Sequence, residues 1–282
     1  MATIDYVVRV EDKAKLEALL TSSGAKILSS TVLSKTRPRF TRLDTTSTYA
    51  EGIEQLQKEA ALTENLDPLH LFQRQGSSPF YRPPSFKENL LARIEDYNTL
   101  KNPNGSTRTK EERLRLFNQG IDSCTSITSE AGSLRIKIDP ISLELITIAE
   151  GFKKAFLPVK DFNSAPGILL DTSEGVYSKG LTQSQVPEHP AWLAAVGEDR
   201  RILTDYSEIV FTELSERRKK SKGDIRAMGF YPITNPGQNQ RRALCAVFLV
   251  YDSDAGGYGN LSNDASFLLL AQESAPQAPQ KK

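Results

Sequence analysis

Apolar and polar positions alternate from Ile4 to Val10, the period of a half-buried strand. Leu16, Leu19 and Leu20 then recur at helical spacing within Glu11 to Ser23, and Gly24 follows as a C-cap. Lys26 to Leu33 is a second strand-like run, so the first segment reads as strand, helix, strand. Ile53, Leu56, Ala60 and Ala61 place another helix over Tyr49 to Leu62. The pattern breaks at residues 73–85 (QRQGSSPFYRPPS), where three prolines with Gly and Ser resist both a helix and a central strand.

Beyond the break, Ser85 with Glu88 forms a capping box. It opens a helix to about Leu100, with Leu90, Leu91, Ile94 and Tyr97 on its apolar face. Thr109 with Glu112 repeats the signature before a helix holding Leu114, Phe117 and Ile121. Leu134 to Ile148 alternates as paired strands around Pro140. Residues 150–180 keep no period and read as an irregular loop or arm. Thr182 to Ala195, with Trp192, is helical but interrupted by Pro187 and Pro190.

Glu198 to Lys220 is the strongest helical segment. Ile202, Tyr206, Ile209, Val210 and Leu214 form one stripe, and basic residues in the last turns complement the helix dipole. Met228 to Ile233, Ala243 to Tyr251 and Phe267 to Ala271 are expected strands, the middle one apolar enough to be covered on both faces.

These elements predict an α+β protein. A βαβ-type, ferredoxin-like unit is expected over 1–72, a Pro-rich linker or arm over 73–85, and a main domain over 86–271. That domain should hold a predominantly antiparallel sheet with flanking helices, and 272–282 is a polar tail expected to be disordered.

Composition narrows the class. Of 282 residues, 38% are hydrophobic and 25% charged, a modest core with polar arms around it. Thirty-six basic and 35 acidic side chains give a net charge of +1, so electrostatic recruitment of nucleic acid or lipid requires a local patch. The N-terminus lacks a basic stretch followed by an apolar one, and no apolar run approaches membrane-spanning length. A cytoplasmic location is therefore expected, or a virion if the source is viral, with no membrane partner. The Asn104-Gly-Ser106 and Asn260-Leu-Ser262 triplets match the glycosylation sequon but carry no meaning without export.

Candidate chemistry is sparse. Cys124 and Cys245 lack a CxxC partner, and Cys245 reads as a small buried hydrophobe. His189, between Glu188 and Pro190, reads as a helix-start residue with ordinary surface contacts. Asp252, Asp254 and Gly257 match calcium-loop positions one, three and six. Gly256 and Asn263 at positions five and twelve do not, so the loop, which includes Asn260, reads as a Gly-rich connection. The sequence shows no P-loop, HExxH or GxSxG pattern, and no catalytic residue, metal ligand or cofactor is assigned.

Two basic clusters are the candidate contacts for nucleic acid. In KTRPRFTR, Arg37, Arg39 and Arg42 alternate with Phe40, an arrangement suited to single strands; Arg217, Arg218, Lys219 and Lys220 form the second. The leading expectation is a non-enzymatic structural or interaction protein, a subunit of a homo-oligomer or larger assembly such as a virion or other self-assembling particle. It would partner itself or another protein, because the Pro-rich, irregular and tail segments order best against a neighbour. Nucleic-acid binding through the basic clusters is the first alternative; an enzyme with a dispersed, motif-free site is the second.

Overall fold

Both capping boxes form, and they decide where two helices start. The computed structural model describes residues 39–41, 72–73, 80–82, 84–102, 104–142, 145, 156–171, 180–232, 236–246, 252–256 and 269–272. The expected strands and helices within 4–33 and 49–62 lie outside them, so no ferredoxin-like unit is shown. The chain divides into two compact units, Met1–Arg37 with Ala275–Lys282 and Pro38–Ser274, and every described residue belongs to the second.

Ser85 Oγ accepts the Glu88 N–H at 3.3 Å, and the Glu88 carboxylate accepts the Ser85 N–H at 2.8 Å, opening α1 (Phe86–Asn98). Thr109 and Glu112 make the same exchange, but α2 (Lys110–Arg113) is a single turn. The expected helix does not continue to Ile121, because that residue begins a strand. The two-proline segment splits into a 3-10 turn (Gln183–Glu188) and α3 (Pro190–Ala195), Pro190 sitting where its missing N–H costs nothing. Asp199 caps α4 (Arg200–Arg218), whose expected stripe is buried throughout. A second 3-10 turn, Lys222–Asp224, follows it.

Eleven strands complete the described fold: β1 (Arg39–Thr41), β2 (Phe72–Gln73), β3 (Phe80–Arg82), β4 (Ile121–Ser129), β5 (Arg135–Asp139), β6 (Leu157–Pro158), β7 (Ile168–Asp171), β8 (Phe230–Tyr231), β9 (Gln240–Ala246), β10 (Ala255–Gly256) and β11 (Leu269–Gln272). One sheet runs β1-β11-β3-β2, so the Pro-rich segment supplies a strand between β2 and β11. The other, of seven strands, runs β7-β5-β4-β9-β10-β8, with β6 also on β9. Every pairing is antiparallel except β8 with β10. The strand expected over 243–251 coincides with β9 at 243–246; β9 lies inside the sheet with residues 243–245 buried, and 247–251 lie outside the described residues.

All nine positions of β4 are buried, although only Ile121, Cys124 and Ile127 are apolar. Its register with β9 shifts between Asp122 and Ser126. There the backbone turns to other partners: Cys124 N–H donates to Pro84 O and Cys124 O accepts from Ser142 N–H, both at 2.8 Å. Thr125 Oγ1 accepts the Phe86 N–H at 2.8 Å and donates to Pro140 O at 2.6 Å. Ser123 Oγ donates to Leu244 O at 2.6 Å. One irregular stretch therefore ties the start of α1 and the end of β5 to the sheet.

The helices close over the sheet through an aromatic core. Phe86 and Phe230 flank Trp192, with ring centroids 5.5 and 6.2 Å from it, and the Trp192 indole N–H donates to Met228 O at 2.9 Å. Phe117 stacks on Tyr206 at 5.2 Å. Glu213 on α4 is 1% exposed; it accepts the Tyr97 hydroxyl at 2.8 Å and meets Lys110 Nζ at 2.9 Å, joining α1, α2 and α4.

Two substitutions test this construction. Replacing Ser85 with Ala removes the cap of α1 and should cost about 1 kcal/mol in denaturant unfolding at unchanged m-value. Gly167 stands at φ +116°, where an added Cβ would lie 2.7 Å from the Ile138 carbonyl group. Gly167→Ala should therefore cost about 2 kcal/mol or more by the same measurement.

Candidate functional site

The two basic clusters fall on separate elements. Arg39 and Phe40 occupy β1, in register with Ala271 and Leu270, while Arg37 and Arg42 lie outside the described residues. Arg217, Arg218, Lys219 and Lys220 come together at the end of α4, where the left-handed Lys219 (φ +51°) ends the helix. Arg218 is ion-paired with Asp252, and Arg217 reaches Asn118 Oδ1 at 3.5 Å. Lys219 and Lys220 remain exposed. Half of this cluster thus has a partner within the protein.

Asp252 introduces the turn that the sequence compared with a calcium loop. Asp252 and Ser253 both have positive φ, as does Met228 on the facing segment, and Met228 N–H donates to Asp252 O at 2.8 Å. Gly229 N–H donates to Asp254 Oδ1 at 2.6 Å. Burial holds the Asp254 carboxyl up at about 6 despite that bond. The turn's two carboxylates are thereby engaged with Arg218 and Gly229, and the described residues contain no group of three metal-ligating side chains. Gly257 and Asn260 lie outside them.

His189 corrects an expectation. Rather than a surface residue it is 6% exposed at the N-cap of α3, its ring 6.3 Å from Phe230, because Pro190 and the apolar α3 turn it inward. Cys124 is fully buried. Cys245 is buried as expected but has a polar neighbour: Asp122 faces it across the β4–β9 ladder, and the thiol donates to the carboxylate. Burial, then Asp122, pushes the thiol well above its ordinary value, which leaves it unreactive. Burial also raises Asp122 to about 6. Arg93 is close by and fully buried on α1; its guanidinium donates to Asn89 Oδ1 at 2.9 Å and Gln119 O at 2.8 Å. This network is a sealed part of the core.

A hollow of about 380 Å³ between the first 3-10 turn and α4 is lined by Thr182, Gln183, Thr204, Ser207 and Lys222. Lys222 and Gln183 both bond Glu208, so the charged groups at its rim satisfy one another.

The surface that stands out is the β7 edge. In the seven-stranded sheet β7 is terminal, and among the described residues it pairs with β5 alone, Leu169 opposite Lys137 and Ile168 opposite Ile138. Ile168 is 37% and Leu169 49% exposed. Leu134 and Ile141, just outside the two ends of β5, are exposed as well. The face that carries Leu169 also carries Arg135 and Lys137, whose cations lie 5.2 and 5.3 Å from the Phe162 ring. A terminal strand that carries exposed aliphatic side chains is a ready template for another chain. Sequence reasoning placed residues 150–180 in an irregular arm; the available signal was the short run Ile168-Leu-Leu170 between Gly167 and Asp171.

The raised carboxyls make stability depend on pH. An aspartate near 3.8 when unfolded and about 6 when folded imposes no cost at about pH 2 and below, where both states are protonated. As pH climbs from 4 to 6 the unfolded chain ionises first, and folding loses up to about 3 kcal/mol at the fully buried Asp122 and less at Asp254, whose partial exposure lets solvent screen its charge. Denaturant unfolding across this window should show stability falling as pH rises. Asp122→Asn should flatten part of that slope, and Asp254→Asn most of the rest.

No protein-family model matches the chain, and neither does any curated protein sequence. A solved structure from Nanoarchaeota, described by the words "Accommodation of massive sequence variation in Nanoarchaeota by the C-type lectin fold", superposes at a TM-score of 0.50 with 11% identity. The match spans 86% of this chain and 100% of that one. The likeness is one of fold alone: helices and strands mixed around a curled, antiparallel-dominated sheet, as in the C-type lectin fold.

Proposed function

We propose that this chain is a non-enzymatic interaction protein, a subunit of a homo-oligomer or larger assembly that meets its neighbour along the β7 edge. The observation that carries the reading is the exposure of Ile168 and Leu169 on a terminal strand paired on one side alone among the described residues. Strands left this way in a protein that works alone are ordinarily short, charged or covered. β7 is short, but its first three positions are Ile, Leu and Leu. A neighbouring strand added there would extend the sheet and cover the exposed aliphatic side chains.

The fold adds indirect support. The Nanoarchaeota protein's fold is described as accommodating massive sequence variation. A scaffold that keeps its core while its surface changes is suited to recognition, and fold by itself assigns no chemistry. Nucleic-acid binding ranks second, since Arg217 and Arg218 are both engaged within the protein.

Size-exclusion chromatography with light scattering across a concentration series tests the reading. The wild type should self-associate, and Leu169→Asp should raise the dissociation constant at least about tenfold by burying an unpaired charge at the contact. Leu169 is half-exposed, so the variant should keep the wild-type melting profile. A wild-type chain that stays monomeric at every concentration, or an L169D chain that associates equally well, overturns the proposal.

A further inference from the structure

Asn104-Gly105 is the chain's one Asn-Gly step, and the structure puts it on an exposed turn between α1 and α2. The turn is closed by the Lys101–Thr107 bridge, by Asn102 N–H donating to Ser106 O at 2.8 Å, and by Gly105 N–H donating to Asn102 O at 2.9 Å. Inside it, Asn104 Oδ1 accepts two hydrogen bonds, from Ser106 N–H at 3.0 Å and Ser106 Oγ at 2.7 Å. Asn102 Nδ2 in turn donates to Ser106 Oγ at 3.0 Å, which holds that hydroxyl in place. Gly105 has φ +84°, and the space a side chain would occupy there is open.

We propose that this turn is a self-modification site, at which Asn104 converts to aspartate and isoaspartate without an enzyme. The Gly105 amide nitrogen gives its proton to solvent hydroxide and attacks Asn104 Cγ. Negative charge gathers on Oδ1, where the two Ser106 donors already point; preorganised donors at a developing oxyanion lower the barrier. The Cγ–Nδ2 bond breaks and Nδ2 departs as ammonia with a proton from water, leaving a five-membered imide. Water then opens one of the two imide bonds and leaves a carboxylate. The net change consumes one water and releases one ammonia. Gly105 permits the approach because it carries no Cβ. The Gly105–Asn102 hydrogen bond must open first, and because hydroxide removes the Gly105 amide proton the rate should rise with pH.

The product matters to the fold locally. A neutral turn gains a negative charge, and the isoaspartyl form lengthens the main chain by one carbon, which the Asn102–Ser106 closure does not accommodate.

The experiment incubates the full chain in mildly alkaline buffer and follows each asparagine by peptide mapping with mass spectrometry. Asn118 and Asn163, both exposed, serve as internal controls. Asn104 should convert at least about tenfold faster than either control. Ser106→Ala removes the hydroxyl donor while leaving Gly105, and should slow conversion about two- to tenfold, the span of one exposed hydrogen bond. Conversion of Asn104 no faster than Asn118 and Asn163 overturns the proposal. An S106A rate equal to or above the wild type also overturns it, because the turn would then protect the residue or leave it indifferent.

Discussion

The structure depends on how β4 finds partners for most of its polar groups inside the core, the Ser126 hydroxyl being the buried one left without any. A nine-residue strand that is buried from end to end and carries Asp, three serines and two threonines would be untenable if those groups lacked partners, each orphan costing about 1–3 kcal/mol. The strand resolves this by leaving the β9 ladder in its middle. Where the register shifts, Cys124 bonds the chain entering α1 and the chain leaving β5, and Thr125 bridges the same two segments through one hydroxyl. The irregularity therefore fixes the positions of a helix and a neighbouring strand.

That arrangement explains why the centre and edge of the seven-stranded sheet differ so much. At the centre, Ser123, Thr125 and Thr128 trade hydrogen bonds with Leu244, Pro140 and Arg241, and Asp122 with Cys245 forms a sealed polar pair. Glu213, almost fully buried, draws α1 and α2 onto α4 through Tyr97 and Lys110. At β7 the ladder ends among the described residues, with exposed aliphatic side chains. Most polar groups at the centre are committed to the fold, and the exposed aliphatic side chains lie at the rim. This division is what favours a role in contact over one in bond-making.

Much of the framework was legible because local chemistry decided it. Ser85 with Glu88 and Thr109 with Glu112 started helices where expected, and the Ile202–Leu214 stripe became the buried face of α4. Gly167 before β7 and Lys219 after α4 lie where the backbone turns to positive φ. The candidate site was less legible. Arg217 and Arg218 looked available in the sequence, yet each found a partner 99 and 34 residues away. His189 was expected at the surface and is buried against Phe230.

The amino-acid sequence by itself determined the starts of α1 and α2, the apolar second half of β9 and the mixture of helices and strands, since each follows from contacts within a few residues. Tertiary structure alone decided that Ile121 opens a strand instead of ending a helix, that IDSCTSITS is the core of the sheet, and that Ile168 and Leu169 stay in water. Serine and threonine carry no hydrophobic period, so a buried strand built from them shows itself only once distant partners accept its hydrogen bonds. An apolar tripeptide likewise carries no mark of centre or edge until the order of the strands in the sheet is known.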